Sequence, residues 1–286
     1  MEIFAVSFLS GISLGMIYFL IAAGLSMVMG LMGVINLAHG ALFMLGAYLG
    51  ITVAKLTGSF ILGILAGIAS AGIAGLVMER GFFSRLYKRE FEQILVTFGF
   101  IYIITNAHLW IYGIYPKSPF IPSILAGTID IGGFLFPIYR FAVIIIGILI
   151  FFGLWWLQEK TKIGAIIQAG MDDAQMTSGL GINLTPINIG AFFLGSCLAG
   201  FAGVVGTGQM GAVDLQSGIN MLFVALIVVI VGGVGSIQGA LAGALLIGAA
   251  TALAATYIPV ISMFVMYVAV ILILLFRPSG LIGRKF

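Results

Sequence analysis

The feature that most constrains this chain is a succession of long apolar segments that are almost free of charged residues. A membrane span needs about 20 mostly apolar residues. We count nine candidate segments, near residues 5–30, 38–54, 60–78, 94–113, 138–157, 188–208, 219–232, 239–256 and 259–276. Only a glycine-rich stretch separates the seventh from the eighth, so these two are either separate spans or one broken or re-entrant element. The sequence therefore predicts an all-α, polytopic transmembrane helix bundle of eight or nine spans.

The composition excludes the main alternatives to a membrane protein. Of the 286 residues, 62% are hydrophobic and 7% are charged, whereas a soluble domain has about 25% charged residues. Disorder would require low hydrophobicity and high net charge. The single cysteine, Cys197, cannot close an internal disulfide, which excludes a small secreted scaffold. The net charge of +3 is no sign of nucleic-acid binding, because cytoplasmic loops of membrane proteins are rich in Lys and Arg.

The distribution of basic residues predicts the orientation of the chain in the membrane. Nine of the twelve Lys and Arg residues lie in loops 79–93 and 158–187 and after residue 276. With nine spans these three regions share one side, which is cytoplasmic by the positive-inside rule. The C-terminus is then cytoplasmic and the N-terminus external. The proline-rich loop 114–137 lies outside, as a cap or a docking surface.

Asn36 and His39, followed by Gly40, are polar residues between two apolar segments with no charge nearby. A polar group at membrane depth is costly without a partner, so such residues are candidates for a translocation path. The alternative is that they lie at the interface and cap helix ends, with Asn36 capping a helix that begins near Ala38.

A second irregular point is the stretch Gly232–Gly239, which contains Gly233, Gly235 and Ser236. Glycine permits unwound backbone, and transporters bind substrates at such breaks between half-helices. A tight cytoplasmic turn between two helices is the alternative. We take Gly233, Gly235 and Ser236 as further candidates for the translocation path.

The internal loop 158–187 is about thirty residues long and contains apolar residues at helical spacing. Ile163, Ile166 and Ile167 follow an i, i+3, i+4 pattern, and Met176 and Leu180 are four residues apart. An amphipathic helix outside the bilayer needs a cover for its apolar face, which a cytoplasmic partner would provide. The chain contains no Gly-Lys dipeptide, so it has no P-loop of its own. We expect no metal, cofactor or catalytic residue.

The sequence resembles the LivH-type permease subunits of branched-chain amino acid ABC importers over essentially its whole length. The resemblance rests on GLSMVMGLMGVINLAHGALFMLGAY at 24–48, GAIIQAGMDDAQMTSGLGIN at 164–183, GGVGSIQGALAGALLIG at 232–248 and RPSGLIG at 277–283. It implies a single permease domain over 1–286, without an ATPase site, in the inner or plasma membrane. It also implies that loop 158–187 couples to the ATPase, through Gly170, Asp172, Asp173, Met176, Gly179 and Gly181.

The same resemblance implies the partners of the chain. These are a second, LivM-type permease, two ATPase subunits on the cytoplasmic face, and a periplasmic or lipoprotein substrate-binding protein. Relatives also carry urea or short amides, so the substrate stays open between these and branched-chain amino acids. A passive channel for small polar solutes is the alternative from another class, and ATP-dependent flux distinguishes it from an importer.

Overall fold

A computed structural model describes residues 2–33, 35–87, 89–131 and 133–282. These residues form eleven α-helices, which are α1 (Glu2–Met32), α2 (His39–Thr57), α3 (Phe60–Gly81), α4 (Glu90–Tyr112), α5 (Ile138–Lys160), α6 (Lys162–Asp172), α7 (Ala174–Gly179), α8 (Thr185–Met210), α9 (Ser217–Gly232), α10 (Ile237–Tyr257) and α11 (Ser262–Phe276). Two short antiparallel strands, β1 (Thr128–Ile131) and β2 (Phe134–Pro137), form a hairpin between α4 and α5. The all-α prediction is confirmed, and the hairpin lies in the proline-rich loop 114–137.

Eight helical segments in the described part of the chain are long and apolar enough to cross a membrane, and they contain α1–α5, α8, α10 and α11. The seventh predicted segment forms α9, which has 16 residues. At 1.5 Å per residue it is about 24 Å long, shorter than the roughly 30 Å of a bilayer's hydrocarbon core. All nine apolar segments therefore form helices, and one of them is too short to cross the bilayer by itself.

Helix α1 runs through the middle of the bundle. Its residues Phe19, Leu20 and Ile21 have no exposed surface, and α5, α8, α9 and α10 pack around it. A helix that is hydrophobic on all sides is stable only when it is buried. Helix α11, in contrast, has no buried residue. Its apolar side chains therefore form part of the exposed surface of the bundle.

Glycines let the helices approach each other closely. A Cβ atom on Gly46 of α2 would lie 2.3 Å from the Cα of Gly200 in α8, and one on Gly248 of α10 would lie 2.5 Å from the backbone nitrogen of Gly15 in α1. Real Cβ atoms essentially never lie within 3.0 Å of such atoms, so the helices can approach this closely only because these positions are glycines. Small residues spaced four apart, such as Gly11 and Gly15 in α1 and Ala244 and Gly248 in α10, thus serve helix packing, as is common in membrane bundles.

Two groups of contacts identify the two ends of the bundle. At the α6–α7 end, the Gln158 Nε2 donates to the carbonyl of Gly235 at 3.1 Å, and the tail after α11 pairs through Leu281 with α9. At the hairpin end, Ser7 of α1 contacts Thr256 of α10 at 2.9 Å. The C-terminal tail, the α9–α10 turn and α6 therefore share one end, opposite the start of α1.

Candidate functional site

The segment before α2 places two polar side chains inside the bundle. Asn36 is 2% exposed and His39 has no exposed surface. The Asn36 Oδ1 accepts from the Ala38 backbone N–H at 3.1 Å, and the His39 Nε2 donates to the carbonyl of Ile21 at 3.0 Å. The Asn36 Nδ2 and the His39 Nδ1 have no hydrogen-bond partner within the described residues. Buried polar atoms are usually paired, so these two are available to a further group.

The hydrogen bond from His39 to Ile21 shows how far inside the bundle the segment before α2 lies. Ile21 lies eleven residues before Met32, where α1 ends, so it lies about 16 Å from that end along the helix. Helix α2 thus begins within the bundle and not at its surface. A Cβ on Gly40 would lie 2.0 Å from the carbonyl oxygen of Gly218, so the first turns of α2 and α9 touch.

The start of α9 carries a polar group that the sequence analysis missed. The Asp214 Oδ1 accepts from the backbone N–H of Gln216 at 3.1 Å and of Ser217 at 2.8 Å, and from the Ser217 hydroxyl at 2.6 Å. This carboxylate therefore pairs with two of the backbone N–H groups at the start of α9, those of Gln216 and Ser217. The signal was the spacing Asp-x-x-Ser just before an apolar run, which is typical of a helix start.

The glycine-rich stretch forms a turn between α9 and α10. Gly233 and Gly235 have φ of +103° and +79°, which glycine adopts readily. The Ser236 Oγ accepts from the Gly239 N–H at 2.9 Å and caps α10. The Gly235 N–H donates to the Ser26 hydroxyl at 3.0 Å, which ties the turn to α1. The turn borders a cleft of about 670 Å³ that also includes residues of α1 and α6.

The six candidate path residues therefore fall into two places. Gly235 packs against Gly30, whereas His39 contacts Ile21. The two α1 residues are nine positions apart, or about 13 Å along the helix. Asn36, His39 and Gly40 lie inside the bundle, and Gly233, Gly235 and Ser236 lie at its α6–α7 end.

Loop 158–187 folds into two short helices packed on that end. The buried face of α6 contains Gly164, Ile167 and Gly170, and Ile167 packs in a cluster with Leu31 of α1. A Cβ on Gly170 would lie 3.1 Å from the Leu31 Cδ1, so α6 lies close on α1. The periodicity of Ile163, Ile166 and Ile167 thus marks a helix, as predicted, although Ile163 is 50% exposed.

Helix α7 projects from the bundle. Asp173 caps it, because its Oδ1 accepts from the N–H groups of Gln175 and Met176 at 2.9 Å each. Met176 is 65% exposed and Leu180 is 74% exposed. Of the remaining coupling candidates, Asp172 ends α6, Gly179 ends α7, and Gly181 adopts a φ of +83° in the following turn.

A buried polar cluster lies next to α7. The Tyr87 hydroxyl donates to the carboxylate of Glu79, which has no exposed surface. Burial, and then the Glu79 carboxylate, raise the pKa of the Tyr87 hydroxyl, so it stays protonated and keeps donating. Tyr87, Gln93 and Asn188 line a cleft of about 620 Å³ that α7 also borders. The loop 79–93 and the projecting helix therefore border the same cleft.

These features define a class. Eight helical segments of the described residues are long and apolar enough to cross a membrane, and the short helices α6 and α7 lie at one end of the bundle. Among the residues with described structure, no three His, Cys, Asp or Glu side chains come together to hold a metal ion. The arrangement is that of a multi-pass membrane protein.

Comparison with known proteins identifies the family. Residues 7–275 match the family described as branched-chain amino acid transport system, permease component, and the chain belongs to it. It is 31% identical over 295 aligned positions to the high-affinity branched-chain amino acid transport system permease protein BraD of Pseudomonas aeruginosa, covering 96% of this chain and 94% of BraD. It is 27% identical to the corresponding protein LivH of Escherichia coli K12, with the same coverage.

A shorter match extends to a different transport system. The autoinducer 2 import system permease protein LsrC of Escherichia coli is 34% identical over 93 residues, which cover 32% of this chain and 27% of LsrC. No solved structure matches the chain. The family assignment therefore rests on sequence similarity over almost the whole chain.

Proposed function

We propose that this chain is the translocating permease subunit of an ATP-driven importer for branched-chain amino acids. Its family membership supports this, as do the named functions of BraD and LivH. The spans also suit the substrate. A zwitterion with an apolar side chain needs a path with some polar groups and little fixed charge, and α8, α9, α10 and α11 contain no charged residue.

The α6–α7 end is the cytoplasmic end in this proposal. Among the described residues, its loops and helix ends carry Arg80, Arg85, Arg89, Lys160, Lys162 and Arg277, while Lys55, Lys117 and Arg140 lie towards the hairpin end. Positive charge concentrates on the cytoplasmic side of membrane proteins. Lys88, Arg284 and Lys285 lie outside the described residues. The C-terminus is then cytoplasmic, and the hairpin faces outwards.

The exposed tip of α7 is the observation that carries the coupling proposal. Met176 and Leu180 expose most of their apolar surface at the end that would face the cytoplasm. An exposed apolar pair on a projecting, amphipathic element is suited to insertion into a groove of another protein. That protein is one of two ATPase subunits, and Gly170, Asp172, Asp173, Gly179 and Gly181 shape the element that it contacts.

The remaining partners complete the pathway. A second, LivM-type permease would lie beside this one, and a periplasmic or lipoprotein binding protein would deliver substrate to the hairpin end. ATP-driven movement of α6 and α7 would reach the core through Gly170 against α1. It would also pass from Gln168 of α6 to Gln158 at the end of α5, which is bonded to Gly235. Asn36, His39 and Gly40 contribute to the path inside the bundle. Gly233, Gly235 and Ser236 form its cytoplasmic end.

Reconstitution with the partner subunits tests the proposal. The complete importer in liposomes is expected to accumulate labelled leucine only when ATP and the binding protein are supplied. Leucine flux without ATP would instead support a passive channel. ATP-driven accumulation of urea or a short amide, with no accumulation of leucine, would contradict the proposed substrate.

Substitution of Met176 tests the coupling contact. Met176→Asp is expected to reduce the ATPase that co-purifies with the permease, because a charged side chain does not enter an apolar groove without cost. The matched control is Ile124→Asp, which changes a side chain that is 80% exposed in the loop before the hairpin. Equal ATPase recovery with both variants would contradict the assignment of α7.

A further inference from the structure

The first turns of α9 expose polar side chains. Gln216 and Asn220, one helical turn apart, are both exposed, and Phe223 on the next turn is 53% exposed. The opposite side of the same turns is packed, with Ser217, Gly218 and Met221 buried. The side-chain amide of Asn220 forms no hydrogen bond with another group in the part of the chain that the structure describes.

These side chains lie at membrane depth. Gly218 contacts Gly40, next to His39, which is bonded to Ile21 in the middle part of α1. From Asn220 to Gly232, where α9 ends at the α6–α7 end, is twelve residues or about 18 Å. Because the hydrocarbon core is roughly 30 Å thick, Asn220 lies well inside it.

Lipid is an unsuitable neighbour for this surface. An amide without a hydrogen-bond partner in hydrocarbon costs several kcal/mol, so polar residues within a membrane face protein or a water-filled cavity. Asp214 already accepts from two N–H groups at the head of α9, those of Gln216 and Ser217. The side-chain amides of Gln216 and Asn220 are exposed and have no hydrogen-bond partner among the described residues.

We propose that the Gln216–Asn220 face of α9 lines the translocation path and hydrogen-bonds the polar groups of the amino acid as it passes. A side-chain amide both donates and accepts, so it pairs with an ammonium group and with a carboxylate without carrying a charge. Neutral partners of this kind hold a zwitterion loosely enough for release. The identity of the ligand rests on the proposed function, whereas the exposure of the face to water does not.

Cysteine labelling in the assembled importer tests the exposure to water. Cys197, the single native cysteine, is first replaced by alanine. Asn220→Cys is then compared with Ile271→Cys in α11. Ile271 is 65% exposed and is surrounded in the sequence by apolar residues. A charged, membrane-impermeant thiol reagent requires a hydrated thiolate. We expect Asn220→Cys to react at least about tenfold faster than Ile271→Cys. Equal, slow labelling of both in an importer that still transports would overturn the proposal.

Substrate contact is tested in the same importer. Leucine is expected to slow the labelling of Asn220→Cys several-fold, and Asn220→Leu to lower uptake about tenfold, while Asn220→Gln retains most of it. Fast labelling that leucine does not slow, in an importer that carries leucine, would overturn the contact with substrate. Fast labelling in an importer that does not carry leucine would contradict the proposed function and support the water-lined path alone.

Discussion

Replacement of Gly46 by alanine should destabilise the bundle by separating α2 from α8. A Cβ at this position would lie 2.3 Å from the Cα and 2.5 Å from the carbonyl oxygen of Gly200, whereas ordinary contacts are 3.4–4 Å. Both opposing atoms belong to the backbone of α8. No side chain can rotate away, so the two helices must move apart by about 1 Å, the difference between these distances.

The size of the effect follows from two opposing contributions. Forcing an extra carbon into a packed interface costs about 1–3 kcal/mol, and alanine recovers roughly 0.5–1 kcal/mol of helix propensity relative to glycine. Because both opposing atoms are backbone, the cost lies in the upper part of its range, about 2–3 kcal/mol. The net destabilisation is therefore about 1–2.5 kcal/mol, which for a chain of this size lowers the Tm by about 2–10 °C.

Thermal unfolding of the purified protein in a mild detergent measures this difference. The matched control is Gly153→Ala in α5, where a Cβ would meet no atom within 4 Å. The control gains helix propensity without a clash, so its Tm should stay the same or rise slightly. An unchanged Tm for Gly46→Ala, or an equal fall for both variants, would refute the argument that backbone contact at Gly46 holds α2 against α8.

Two further predictions concern the α6–α7 end. Tyr87→Phe should destabilise the protein by about 1–3 kcal/mol, because it leaves the buried Glu79 carboxylate without its donor; a Tm equal to that of the native chain would contradict this. Asp173→Ala should lower ATP-driven uptake with little change in Tm, because it removes the bonds to Gln175 and Met176 that begin α7. Asp173→Asn, which preserves an acceptor, should retain uptake, and equal loss with both variants would exclude the cap as the cause.

The helices were predictable from the sequence because each follows from a local property. A long apolar segment cannot remain in water and must satisfy its backbone polar groups internally once it is in lipid, which only a helix does for a single segment. The short helices of loop 158–187 were predictable in the same way, from apolar residues at helical spacing. The hairpin at 128–137 was not predicted, since its strands are only four residues each and carry no comparable signal.

The candidate site was only partly predictable. The sequence singled out Asn36 and His39, because polar residues in an apolar context are visible without a structure. It did not single out Asn220, a lone amide within an apolar segment, because whether such a side chain faces protein, lipid or water depends on the packing of α9. Nor could it separate His39 from Gly235, which look alike as breaks between spans but lie at different depths along α1.

By itself, the sequence determined the class of protein, its helical segments and its family, because hydrophobicity and motifs are properties of neighbouring residues. Only the tertiary structure decided that α9 begins inside the bundle, that the first turns of α2 and α9 meet at Gly40 and Gly218, and that Met176 projects from the α6–α7 end. These are relations between residues far apart in the chain. They arise from the close approach of glycine-containing helices, and no local pattern encodes which helices will touch.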